Sequence, residues 1–202
     1  MTERVIHIVD DEAPVRSSLA FLLMSAGFAV RVHESASAFL EAVADFSMVC
    51  LVTDLRMPQM NGVELLEAVA HRGQSVPAIV ITGHGDVPMA VAAMKAGASD
   101  FIEKPFADTV VIEAIRRACA VAETKSEAGP LPVVLRQRVE DLTAREREIL
   151  TGLVAGLPNK TIAYDLQISP RTVEVHRANI MSKMQAKSLP ELVRMSLAIE
   201  RA

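Results

Sequence analysis

The chain has 202 residues, half of them apolar, 3% aromatic and none Trp, with a formal charge of −4. That length allows one or two domains at about 150 residues each, and no run reaches the roughly 18 apolar residues of a membrane helix. The charge is split, with 9 Lys and Arg against 16 Asp and Glu in residues 1–124 and 12 against 9 in residues 125–202, so the basic excess is too small to identify a nucleic-acid binder by charge alone.

In chain order, residues 4–123 read as five strand-then-helix units, with strands near 5–9, 28–32, 48–53, 78–82 and 99–103. Such short Val/Ile/Leu-rich runs suit strands buried on both faces. Alternation of this kind predicts an α/β fold, a doubly wound five-stranded parallel sheet with right-handed crossovers. Helix signals agree. Pro14 and Pro88 fall in first turns, Asp86 suits an N-cap, and Gly27 and Gly97 suit helix ends.

Each of four strands ends in chemistry: Asp10-Asp11 after the first, Asp54 at the third, Thr82 at the fourth, and Glu103-Lys104-Pro105 at the fifth. Open α/β sheets keep their sites outside the carboxyl ends of the strands. An acid pair, a central carboxylate, a hydroxyl and an amine in one crevice suit the holding of a divalent cation and a phosphoryl group. Asp54 would be the nucleophile, forming an aspartyl phosphate. Asp10 and Asp11 would supply oxygens to magnesium; Lys104 and Thr82 would bind phosphate oxygens. Gly83-His84-Gly85 lacks the third glycine of a dinucleotide loop and reads as a turn needing backbone freedom.

Around residues 124–141 the periodicity lapses. Glu123-Thr124-Lys125-Ser126-Glu127-Ala128-Gly129-Pro130-Leu131-Pro132 mixes charge, Gly and Pro and reads as a linker. Beyond it, helices are predicted over 143–155, 159–166, 170–184 and 188–200. Thr143-x-x-Glu146 is a capping box, and Ser169-Pro170 and Ser188-x-Pro190 open the last two. Cys50 and Cys119 show no zinc or redox spacing and read as structural free thiols. The first residues lack a basic-then-apolar signal, so a cytoplasmic protein is expected.

On Asp10-Asp11, Asp54, Thr82, Phe101 and Lys104-Pro105, residues 1–123 resemble a response-regulator receiver domain, a flavodoxin-like fold. The resemblance implies magnesium held by Asp10, Asp11, Asp54 and the Arg56 backbone carbonyl, a cis Lys104-Pro105 bond, and a switch formed by Thr82 and Phe101. It also implies a sensor histidine kinase as phosphodonor, here an oxygen-responsive one. Phosphorylation would bias a surface made by residues 87–96 and the fifth strand, with Val91 and Lys95 on a homodimer face.

Residues 142–202 resemble the LuxR-type helix-turn-helix module through Leu142-Thr143-x-Arg145-Glu146, Asn159-Lys160-x-Ile162-Ala163-x-x-Leu166-x-Ile168-Ser169 and Thr172-Val173-x-x-His176. Val173, His176, Ile180 and Met184 recur at helical spacing and should face inward. Lys160, Arg171, Thr172, Arg177 and Lys183 would then meet phosphates, while Glu174, Val175 and Ala178 would reach base edges in the major groove. The whole implies a transcription activator of nitrogen-fixation genes that partners promoter DNA and RNA polymerase. Two rivals stand beside it. One is an aspartate-nucleophile phosphatase of the haloacid-dehalogenase type, although that family carries its nucleophile after the first strand. The other is a DNA-binding protein indifferent to phosphorylation.

Overall fold

A computed structural model describes residues 4–47, 49–83, 87–124 and 131–200. In chain order its first elements are β1 (Val5–Val9), α1 (Ala13–Ser25), β2 (Ala29–His33), α2 (Ala36–Ala42), β3 (Val49–Asp54), α3 (Gly62–His71) and β4 (Ala78–Thr82). There follow α4 (Val87–Lys95), β5 (Asp100–Glu103), α5 (Asp108–Thr124), α6 (Leu131–Glu140), α7 (Ala144–Val154), α8 (Asn159–Asp165), α9 (Pro170–Met184) and α10 (Leu189–Glu200). Two compact units result: residues 1–85 with 96–126, and residues 86–95 with 127–202.

The first unit is a parallel sheet in the order β2-β1-β3-β4-β5, as the alternation of runs predicts. Period-2 geometry sends Ile6, Ile8, Cys50, Val52, Ile79 and Ile81 to one face, where Leu19 and Leu23 of α1 and Val111 and Ile115 of α5 cover them. The intervening His7, Val9, Leu51, Thr53 and Val80 are buried on the other. Gly27 ends α1 with a φ of 91°, a left-handed turn that glycine adopts without strain.

A feature absent from the sequence expectations lies between β1 and the edge strand β2. Register places His7 opposite Arg31 and Val9 opposite His33, and the two imidazoles stack at 5.0 Å with a 2.8 Å bond between His7 Nδ1 and His33 Nε2. Phe39 stands edge-on to both rings. Burial first, then the neighbouring His33 and Arg31 charges, lowers the His7 pKa to about 4; burial and Arg31 lower that of His33 as well. Since the folded value lies below the unfolded one, near 6.5, the unfolded chain takes up the proton first as pH falls. Stability is therefore expected to be flat above pH ~6.5 and to fall between there and pH ~4, by up to about 3 kcal/mol. Urea unfolding across that range checks this, and His7→Leu should flatten the profile.

The second unit corrects two expectations. Residues 131–140 are helix α6, not linker. Leu135 is buried, and Arg138 donates from Nη1 to the Met184 carbonyl at 3.0 Å and from Nη2 to Gln185 Oε1 at 2.7 Å. Tertiary partners thus sustain a helix whose Gly129-Pro130-x-Pro132 entry looks like a break, because proline is tolerated in a first turn. The second correction concerns α4, which groups with the helical unit. Val91, expected on an exposed dimer face, is 2% exposed, and a Cβ placed on Gly156 would stand 3.6 Å from it. Lys95 remains exposed. The expected N-cap Asp86, with His84 and Gly85, lies outside the described residues.

Candidate functional site

The order β2-β1-β3 makes the gap between β1 and β3 the point where the sheet's crossovers diverge, the position that open α/β sheets use for ligands. Asp10 leaves β1 there, and Asp54 is the last residue of β3, paired in register with Ile81. The Asp10 carboxylate is oriented locally, Oδ1 accepting from the Glu12 amide at 2.8 Å. Arg16, one turn into α1, donates from Nη1 to the Asp10 carbonyl at 2.7 Å. Asp54 Oδ2 accepts from the Arg56 amide at 2.6 Å.

Lys104 joins the two acids. Its Nζ lies 3.0 Å from Asp54 Oδ1 and 3.3 Å from Asp10 Oδ2, and its own amide donates to the Thr82 carbonyl at 2.7 Å, so β4 positions it. The Lys104-Pro105 peptide is cis, as the resemblance implies. Burial pushes the Asp10 carboxyl up, against the Glu12 hydrogen bond and the Lys104 charge. Burial works to lower Lys104, but the hydrogen bond and charge of Asp54, then those of Asp10, outweigh it and hold the amine above its ordinary value. Thr82 is buried at the end of β4, and Phe101 is half-buried on β5. The structure thus brings the Asp10 and Asp54 carboxylates and the Lys104 amine together. Asp11 stands apart with an exposed side chain, and among the described residues no three acidic, His or Cys groups converge tightly enough for a closed metal cage.

Replacing the bridging cation leaves two carboxylates facing each other across a half-closed pocket. Lys104→Met is expected to cost about 1–3 kcal/mol at pH 7, and less at pH 5. The sign follows from Asp10: without the amine its folded pKa rises further above the unfolded value, so the penalty grows as pH rises. Comparing mutant and parent unfolding at each pH cancels the histidine contribution described above.

Two residues here escape sequence reasoning. Arg16 gives no local signal. Gly62 does, through the dipeptide Asn61-Gly62: Asn61 caps α3 with a full capping box, and a Cβ on Gly62 would fall 2.5 Å from the Asp54 carbonyl oxygen. Only glycine lets α3 begin so close to the end of β3.

In the helical unit, α8 and α9 are joined by a short turn in which Gln167 has a φ of 54°. Arg145 of α7 grips that turn, donating from Nη2 to the Leu166 carbonyl at 2.9 Å. Ser169 caps α9 through the Thr172 amide, and the two hydroxyls lie 2.8 Å apart. Val173, Ile180 and Met184 are fully buried, whereas His176 is half-buried with Nδ1 enclosed and unpaired. Lys160, Arg171, Glu174 and Ala178 are exposed, Val175 is 56% exposed, and Thr172 and Arg177 are half-buried beside them. A surface aromatic also goes unpredicted, Tyr164 on α8 at 84% exposure. Lys183, exposed near the end of α9, has its Nζ 2.7 Å from Glu146 Oε2 and 3.3 Å from the Asp141 carbonyl.

No helix among the described residues is long and apolar enough to cross a membrane. Residues 6–116 match the response regulator receiver domain, and residues 140–196 match the bacterial regulatory proteins of the luxR family. The chain is 61% identical over 202 residues to the transcriptional regulatory protein FixJ of Rhizobium meliloti (strain 1021), covering 98% of this chain and 97% of that protein. Among solved structures, full-length FixJ from B. japonicum is similar with a TM-score of 0.59 and 46% identity, covering all of both chains. FixJ-N matches 61% of this chain at 62% identity with a TM-score of 0.57. The strand-end acids with their bridging lysine, and the helix-turn-helix behind them, therefore belong to one kind of molecule: the chain is a member of the response regulators of the FixJ type, transcription regulators that couple a receiver to a LuxR-type DNA-binding domain.

Proposed function

We propose that Asp54 is the phosphoacceptor through which a sensor histidine kinase of the FixL-like, oxygen-responsive kind controls DNA binding by α9. The observation that carries this reading is the placement of Lys104 Nζ between Asp54 Oδ1 at 3.0 Å and Asp10 Oδ2 at 3.3 Å. That amine neutralises the acids in the resting pocket and is in place to meet a phosphate oxygen on Asp54. The Asp54 carboxylate attacks phosphorus, and the bond from phosphorus to the donor's imidazole nitrogen breaks. Thr82 then turns to the new phosphate, and Phe101 takes the space it leaves. The chain accepts and slowly loses its own phosphoryl group rather than turning over a substrate.

The hard oxygen donors of Asp10, Asp11 and Asp54 and the Arg56 carbonyl would hold magnesium. When bound, the ion supplies charge neutralisation for the incoming phosphoryl group. The nucleophile at β3 rather than at the first strand argues against a haloacid-dehalogenase phosphatase.

On the helical side, Lys160, Arg171, Thr172 and Arg177 position phosphates, and Glu174, Val175 and Ala178 face base edges. Phosphorylation must first release Val91 from its burial in the second unit. It then joins Lys95 on a homodimer face, and the dimer engages paired half-sites at promoters of nitrogen-fixation genes and presents RNA polymerase with an activator. The test is operator binding and solution size of the full chain and of residues 131–202, with and without a small phosphodonor. The fragment must start at α6, because Arg138 bonds to the end of α9. A fragment that binds constitutively, while the full chain binds only with donor, supports inhibition by the receiver; a silent fragment overturns it.

A further inference from the structure

The chain's two cysteines lie in different elements, yet the fold brings them into contact. Alternation along β3 points Cys50 and Val52 to the face covered by α5, where Val111, Ile115 and Ala118 pack on them and Cys119 lies alongside. Cys50 is fully buried, whereas Cys119 is only half-buried. Of the groups around it, the Cys119 thiol acts most strongly on that of Cys50, raising its pKa ahead of burial. Neither serves the phosphoryl chemistry, since Cys50 stands near the start of β3 and Asp54 ends it.

We propose that Cys50 and Cys119 are a modification site: a hydroperoxide converts them to a reversible disulfide that fastens α5 to the sheet. The half-buried Cys119 is the sulfur that a small oxidant reaches. It attacks the terminal peroxide oxygen, the O–O bond breaks, and Cys119 becomes a sulfenic acid while the peroxide leaves as an alcohol, or as water from hydrogen peroxide. Cys50 sulfur then attacks Cys119 sulfur, the S–O bond breaks, and the departing hydroxide takes the Cys50 proton as water. Two thiols lose two electrons and one peroxide gains them. Contact with Cys119 and burial hold the Cys50 thiol protonated well above its ordinary range, so the core harbours no thiolate until its partner is oxidised. A dithiol reductant reverses the link.

The experiment treats the folded full chain with hydrogen peroxide, alkylates the remaining thiols and maps the peptides by mass spectrometry. A parallel sample is unfolded in urea. The expected result is a Cys50–Cys119 link that forms faster in the folded chain, raises the thermal midpoint and reverts with dithiothreitol. Cys50→Ala should instead accumulate a sulfenic acid at Cys119 that dimedone traps. The proposal is overturned if both thiols remain alkylatable after treatment, if Cys119 proceeds to sulfinic acid without a link, or if the link forms only in urea.

Discussion

Asp54→Asn is expected to leave the protein folded and unresponsive to any phosphodonor. The amide oxygen can still accept from the Arg56 backbone, which now bonds Asp54 Oδ2, and Lys104 retains Asp10 as a partner at 3.3 Å. What disappears is the carboxylate proposed to accept the phosphoryl group. On the proposed mechanism, phosphorylation joins two DNA-binding domains and makes the second half-site contact intramolecular, which would tighten operator binding by about 10²–10⁴. In the variant the ratio of affinities with and without donor should fall to about one. Fluorescence anisotropy on operator DNA and light scattering read both halves of the claim; donor-driven dimers of the variant would place the acceptor elsewhere.

Glu146→Ala should be the most damaging loss of a polar side chain in the α7 cap. Glu146 is 3% exposed, and its Oε2 accepts from the Thr143 amide at 2.8 Å, the Thr143 hydroxyl at 3.0 Å and Lys183 Nζ at 2.7 Å. One carboxylate therefore closes the capping box of α7 and ties it to the last turn of α9. Its removal leaves the Thr143 amide and hydroxyl without their acceptor and loses the Lys183 bond, at a cost of about 1–3 kcal/mol. The Lys183 and Thr143 bonds hold its carboxyl below the usual range, so this stability is present above the unfolded pKa and is lost as pH falls through the folded one. Calorimetry of residues 131–202 at pH 7 would test the size, and Lys183→Met should reproduce part of it. A shift below about 1 kcal/mol would show that the network is merely a surface ion pair.

The sheet and its pocket were legible because parallel strands demand continuous apolar runs, and each run ends where chemistry can begin. Asp10, Asp54, Thr82 and Lys104 announce themselves by that position. What stayed hidden depends on register or on third partners. His7 and His33 meet only once β1 and β2 are aligned, and nothing local marks them. Lys183 occupies a helical position that looks solvated, and its bond to Glu146 depends on a carboxylate in α7. The burial of Val91 was unreadable because α4 offers small and apolar residues around much of its circumference, so periodicity does not choose a face. Helix α6 was hidden by Pro132 in its first turn and by the Gly and Pro before it in the sequence.

That last helix alters where this molecule can be cut and rejoined. With α5 running to Thr124 and α6 starting at Leu131, a cut at residue 142 falls behind α6 rather than ahead of it. A shuffled regulator spliced at residue 142 would inherit another protein's α6 against its own α9, with Arg138 replaced by whatever the donor carries. Grafts made between α5 and α6 keep the reader and its α6 brace together, but they exchange α4, which groups with the helical unit, so a foreign sensor module must bring an α4 that fits it.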